Sequence, residues 1–117
     1  MIYRRFGIYS VNFDDAHENS CVQGGVRPAI VISNEMNNVH SPTVQVIPVT
    51  SAFKKNLPVH VDLCGFGLRK PSIALCEQIQ TIPKCLIGKY IGEIDNLYVQ
   101  NRINKGIKIQ LNLSEAV

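Results

Sequence analysis

The chain has 117 residues, a length that fits one domain around one core, and 45% of them are hydrophobic, which excludes a chain too polar to fold. Its formal net charge of +3 is compatible with a polyanionic partner without requiring one. No apolar run approaches the roughly 18 residues of a membrane span, and Met1–Arg5 is not followed by an apolar stretch of signal-peptide length, so a soluble, cytoplasmic protein is expected.

Short strand-like runs dominate. Tyr9, Val11 and Phe13 alternate with Ser10 and Asn12, the period of a half-buried strand. Residues 14–25 are polar and end in Gly24-Gly25, which predicts a long loop, and a loop of that size in a small domain often carries function. Ala29-Ile30-Val31-Ile32 reads as a strand buried on both faces, and Asn34 to Pro42 as a polar connection. Thr43 to Val49 is the next strand, with Pro48 expected at a bulge or an edge because it has no N–H for the ladder. After a loop carrying Lys54-Lys55, Val59, Val61 and Leu63 alternate with His60 and Asp62, which places His60 on the polar side of a strand.

Gly65 to Pro71 is rich in turn residues. Ser72 to Cys76 and Gln78 to Ile82 are strand-like and parted only by Glu77, as in one bent strand. Lys84 to Ile87 fits a single helical turn. Asp95 or Asn96 is a good N-cap, and Val99, Ile103, Ile107 and Leu111 recur at spacing four, the stripe of an amphipathic C-terminal helix. Gly106 weakens that helix by about 1 kcal/mol, and Ile107, Ile109, Leu111 and Leu113 also alternate like a strand; the helix is the preferred reading. The whole is expected to be mainly β, a small, strongly bent barrel of five to seven strands whose closing helix covers an open edge.

Charge is unevenly spread. From Ser51 to Gly92 there are six bases (Lys54, Lys55, Arg69, Lys70, Lys84, Lys89) and two acids (Asp62, Glu77), while Asp14, Asp15 and Glu18 cluster elsewhere. A solvated surface accounts for this as well as a basic face does. The four cysteines, at 21, 64, 76 and 85, form no C-x-x-C pair, and reduced thiols are expected, with Cys64 and Cys76 buried and Cys21 exposed. His17, His40 and His60 show no metal-binding spacing, so neither a metal nor another cofactor is expected.

One segment is unusual: Gln23-Gly24-Gly25-Val26-Arg27-Pro28. Paired glycines let backbone N–H groups approach an anion, and an arginine at the mouth of a buried strand is suited to bidentate phosphate contact. A tight turn with a surface arginine describes the same residues. Thr50-Ser51 sets two hydroxyls where a basic loop begins, and Asn34 and Gln78 add amides able to read a base edge; strand-end capping and plain surface positions are the competing accounts.

In order, Arg4-Arg5 with Ile8-Tyr9, then Gln23 to Asn34, Ser41-Pro42-Thr43, Val49-Thr50-Ser51, Leu57 to Val61, Ser72 to Ile79 and Ile91 to Ile94 resemble the MazF/PemK toxins over about residues 3 to 95. The resemblance implies one toxin domain over residues 1–117 with an SH3-like barrel, a symmetric homodimer, and metal-independent, sequence-specific cleavage of single-stranded mRNA to 2′,3′-cyclic phosphate and 5′-hydroxyl ends. It also implies a cognate antitoxin, through which any DNA contact would run, and no membrane. Arg27 matches the family's catalytic arginine and Thr50 its catalytic threonine; Gln23, Gly24, Gly25, Asn34, Ser51, Lys54, Glu77 and Gln78 would contact RNA.

Two positions depart from the pattern. Val22 stands where many members have an acid, which leaves the general base unassigned, with Glu18 or His17 as substitutes. Phe6-Gly7 replaces Gly-Asp before the Ile-Tyr pair. The alternatives are a non-enzymatic toxin resembling CcdB that acts on a protein target such as gyrase, and a catalytically inactive RNA-binding barrel.

Overall fold

The computed structural model describes residues 2–14, 25–52 and 55–113. Its elements are β1 (Gly7–Asn12), β2 (Val26–Val31), α1 (Glu35–His40), β3 (Thr43–Thr50), β4 (His60–Leu63), β5 (Ser72–Leu75), β6 (Gln80–Pro83), β7 (Ile87–Glu93) and α2 (Leu97–Gln110). All strand pairs are antiparallel. The sheet runs β4-β5-β3-β2-β1-β7, with β6 also on β3. This is the mainly β architecture with a C-terminal helix that the alternation and the final stripe predict.

The sheet is curled, so each of its faces packs a core. Ile8, Ile30, Ile47, Val61, Ala74 and Ile103 belong to one cluster, which α2 closes; Tyr9, Val11, Ala29, Val31, Val44, Val46 and Ile82 form the other. Burial of these side chains at about 25 cal/mol per Å² is the main driving force for the fold.

Two edges of the sheet, β4 and β7, are brought together by the turn between β4 and β5. Gly65, Phe66 and Gly67 all have positive φ (92°, 57° and 87°), and Leu68 N–H closes the turn on Gly65 O at 3.0 Å. A Cβ on Gly67 would lie 2.2 Å from Ile91 O, and one on Gly92 would lie 2.0 Å from Phe66 O. Only glycines let these backbones touch. The seam closes the curl.

Several expectations are corrected. The connection before β3 contains α1, capped by Asn34, whose Oδ1 accepts from Asn37 N at 2.8 Å; six residues are too few to show helical periodicity. Ser72 to Ile82 is not one bent strand, because a 3₁₀ turn over Cys76–Gln78 separates β5 from β6. Pro48 is in central β3 and not in an edge strand, but on one side it falls in the break between the stretch paired with β6 and the stretch paired with β5, an interruption of the ladder that suits a residue with no N–H.

Cys64 is exposed rather than buried, while Cys76 is buried as expected. The 14–25 loop, with Cys21 and His17, lies outside the described residues apart from Asp14 and Gly25.

The C-terminal helix is capped by Asn96, whose Oδ1 accepts from Val99 N at 3.1 Å. Val99, Ile103 and Ile107 face the core, whereas Leu111 is exposed. Gly106 is where the helix approaches the 3₁₀ turn: a Cβ there would stand 2.8 Å from Cys76 Sγ. Arg5 pins the helix from the other side, its Nη2 donating to Asn104 Oδ1 at 2.8 Å and its Nε to Ile32 O at 2.9 Å. No helix among the described residues is long and apolar enough to cross a membrane.

Candidate functional site

Beyond the last β2–β3 pair, Ala29 with Pro48, β3 turns away to pair with β5 through Val49 and Thr50. The two strands part there. Continuing their register by two residues sets Arg27 opposite Thr50. Arg27 pairs with Val11 on β1 and shares a face with Ala29 and Val31, while Thr50 shares a face with Val46 and Val44; both faces belong to the second core cluster. Arg27 and Thr50 therefore both lie at the place where β2 and β3 part.

Their environments differ. Arg27 is exposed and Thr50 is 2% exposed. Thr50 Oγ1 accepts the Ala52 N–H at 3.1 Å, which fixes the hydroxyl and leaves its own proton to donate. A groove of 680 Å³ lies at the opening, between the start of β2, the end of β3, the 67–72 turn and β7. Arg27, Arg69, Lys70 and Lys89 contribute to its wall, and no carboxylate is among the described residues that line it. Ser51 lines it next to Thr50 and also borders an adjacent hollow that carries Asp62. Tyr90, 53% exposed, stands on the same wall, held edge-on by Tyr9 with ring centroids 5.6 Å apart.

Of the residues singled out in the sequence, the groove gathers Arg27 and Ser51; Thr50 does not line it and stands in the chain between the lining residues Val49 and Ser51. Gly25, at φ 76°, starts β2, and its N–H donates to the Asp14 carboxylate at 2.5 Å; the anion this glycine holds is the chain's own. Asn34 caps α1. Gln23, Gly24 and Lys54 lie outside the described residues.

Glu77 and Gln78 are in the 3₁₀ turn against α2, not on the groove. Glu77 Oε2 meets His60 Nε2 at 2.9 Å. His60 is thus buried, at 7% exposure, because the 3₁₀ turn packs over its end of β4, while Asp62 on the same face is exposed. Cys76, next to this pair, is buried against Ile103 O, and burial pushes its thiol up to about 12, with the Glu77 charge adding to the effect.

Alternation and spacing do not single out Arg69, Lys70, Lys89 or Tyr90 as a group. The count of bases between Ser51 and Gly92 contains three of them, but only the glycine seam shows which bases converge.

A curled seven-stranded sheet closed by a C-terminal helix, with cations gathered at one opening, defines a small β-barrel suited to a polyanion. The family model for PemK-like, MazF-like toxins of type II toxin–antitoxin systems matches residues 4–111, and the chain belongs to that family. It is 33% identical over 116 residues to endoribonuclease EndoA of Bacillus subtilis, covering 97% of each chain, and 43% identical over 96 residues to endoribonuclease MazF of Staphylococcus epidermidis, covering 77% of this chain and 78% of that protein.

Among solved structures, MazF from Deinococcus radiodurans superposes with a TM-score of 0.82 at 22% identity, covering 97% of this chain and 99% of that one. An endoribonuclease in complex with its cognate antitoxin, from a mycobacterial species, gives 0.79 at 22% identity, covering 97% and 98%. These two likenesses carry the fold.

Proposed function

We propose that the chain acts as one toxin domain, an endoribonuclease that cuts single-stranded mRNA at short sequences without a metal. The observation that supports this reading is a groove whose described walls hold four cations, Arg27 among them, and no carboxylate, with Thr50 placed in the chain between its lining residues Val49 and Ser51. The names of the two curated relatives, both endoribonucleases, support the reaction class. Tyr90 supports a single-stranded substrate, because an exposed aromatic beside cations stacks an unpaired base whatever its identity.

In the reaction, the 2′-oxygen bonds to the adjacent phosphorus as the bond to the 5′-oxygen breaks, and negative charge grows on the non-bridging oxygens. The 2′-proton leaves to a base, and the 5′-oxygen takes one up. Arg27 stabilises the growing charge by bidentate donation. Thr50, one of its lone pairs already taken by Ala52 N–H, donates its proton to the same phosphate, and exposed Ser51 adds a second hydroxyl. The guanidinium's high pKa suits it to charge stabilisation more than to proton transfer. The products are a 2′,3′-cyclic phosphate and a 5′-hydroxyl.

Cytoplasmic action, a symmetric homodimer and neutralisation by a cognate antitoxin complete the proposal; the antitoxin finds support in the mycobacterial neighbour. The test is end-mapping of a long, varied RNA incubated in EDTA with wild type and with Arg27→Ala. Discrete cuts by wild type, lost in the variant, are expected. No cutting by fresh wild type overturns the reading in favour of a protein-directed toxin or an inactive barrel.

A further inference from the structure

We propose that Arg69, Lys70 and Lys89 form a track for the RNA backbone outside the cut site, each neutralising a phosphate other than the one that is broken. This rests on the endoribonuclease reading and assigns residues that it leaves without a role. A phosphodiester carries one negative charge, and Arg27 with the Thr50 and Ser51 hydroxyls already supplies what one phosphate accepts. Three more cations on the same wall are surplus at a single phosphate. The groove's 680 Å³ is in the range that houses a whole ligand rather than one anionic group.

The three side chains come from two elements that the fold locks together. Three successive left-handed residues reverse the chain at Gly65, Phe66 and Gly67, and the Gly67 and Gly92 backbones touch, so Arg69 and Lys70 emerge against β7. Lys89 is fixed from the opposite side, its N–H donating to Ser10 Oγ at 2.8 Å. Gly88 packs on the same hydroxyl, where a Cβ would come within 2.7 Å.

All three cations are exposed. Their carriers therefore sit on rigid backbone while the charged ends reach solvent, an arrangement that positions an extended strand without reading its sequence. Arg27 joins them in the groove's lining from β2. The strand would pass from the Arg27–Thr50 pair along β7 and the 67–72 turn.

The test uses a 20-nucleotide RNA 2′-O-methylated throughout, which cannot be cut, and a 4-nucleotide version of it. Binding is read by fluorescence anisotropy across a salt series. Each phosphate contact to a single strand contributes about 0.7 to the slope of log K against log salt, so the Arg69→Ala/Lys70→Ala/Lys89→Ala variant should bind the 20-mer with a slope shallower by about 2 and roughly tenfold or more weaker at low salt. The 4-mer should lose less.

Lys105→Ala/Lys108→Ala, which removes charge from α2, is the control and should leave the slope for the 20-mer within error of wild type. On cleavable RNA the loss in the triple variant should fall on KM more than on kcat, because the cut phosphate keeps its own donors. An unchanged slope in the triple variant, or equal losses for the two lengths, overturns the track. Because binding is measured on uncleavable RNA, the two proposals fail separately: an absence of cleavage by wild type rejects the activity, and only the salt slopes decide the track.

Discussion

Two polar pairs in this chain meet opposite surroundings. Arg27 and Thr50 stand where β2 and β3 separate, the arginine exposed and the threonine buried, with its hydroxyl accepting from Ala52 N–H. His60 and Glu77 stand where β4 meets the 3₁₀ turn, in the region that α2 covers; the His60 side chain is 6% exposed and that of Glu77 27%. In the covered pair, His60 Nδ1 and Glu77 Oε1 are buried without a hydrogen-bond partner among the described residues.

A polar side chain that can read a base when it is open becomes a structural contact when a helix and a turn close over it. Glu77 is the example: by resemblance it would contact RNA, and in this chain its Oε2 meets His60 Nε2.

The contrast can be broken, or sharpened, by variants that should separate activity from stability. The largest effect is expected at the open pair. Arg27→Ala should lower kcat/KM for RNA by ~10²–10³ with little change in Tm, since an exposed side chain is removed and a preorganised donor is lost. A fall in Tm matching the fall in activity would erase the distinction.

Next is the reactivity of the covered region. At pH 8, Cys64 and Cys85 should alkylate while Cys76 reacts roughly tenfold or more slowly, as followed by peptide mass spectrometry, because only thiolate reacts and burial holds Cys76 neutral. The sign of the linked pH effect follows from the same shift. The thiol's folded value, about 12, lies above its ordinary 9.0, so its contribution to stability is complete below pH 9 and is lost as pH rises from about 9 toward 12. The decline in Tm over that interval should be smaller in Cys76→Ala.

His60→Ala should then cost about 1–3 kcal/mol by leaving a half-buried carboxylate without its partner, measured by urea unfolding. Its kcat on RNA should change far less than that of Arg27→Ala. The smallest effect is at the helix start: Asn96→Ala should cost about 1 kcal/mol through loss of the side-chain cap on Val99 N–H.

Legibility from sequence follows the same division. The C-terminal helix was readable because Val99, Ile103 and Ile107 repeat at the helical spacing and an asparagine precedes them; α1 was not, because one and a half turns carry no period, although the Asn34 cap was a usable signal. Alternation placed Val59, Val61 and Leu63 in the core correctly but put His60 outside, since a strand's pattern does not reveal that another element will cover its second face. The bases of the groove were visible as a bias in composition. Their convergence was not, because Arg27, Arg69 and Lys89 are joined only through strand order and a glycine contact between residues far apart in the chain.

The central claim is that residues 27 and 50 act on one phosphate. A double-mutant cycle in kcat/KM with Arg27→Ala, Thr50→Val and the pair tests it most directly. Valine keeps the buried shape of threonine and removes the hydroxyl together with its bond from Ala52 N–H. Two donors to one developing charge should be strongly non-additive, the double variant being little worse than Arg27→Ala alone. Losses that multiply would mean that the two groups act independently, and would contradict the shared phosphate.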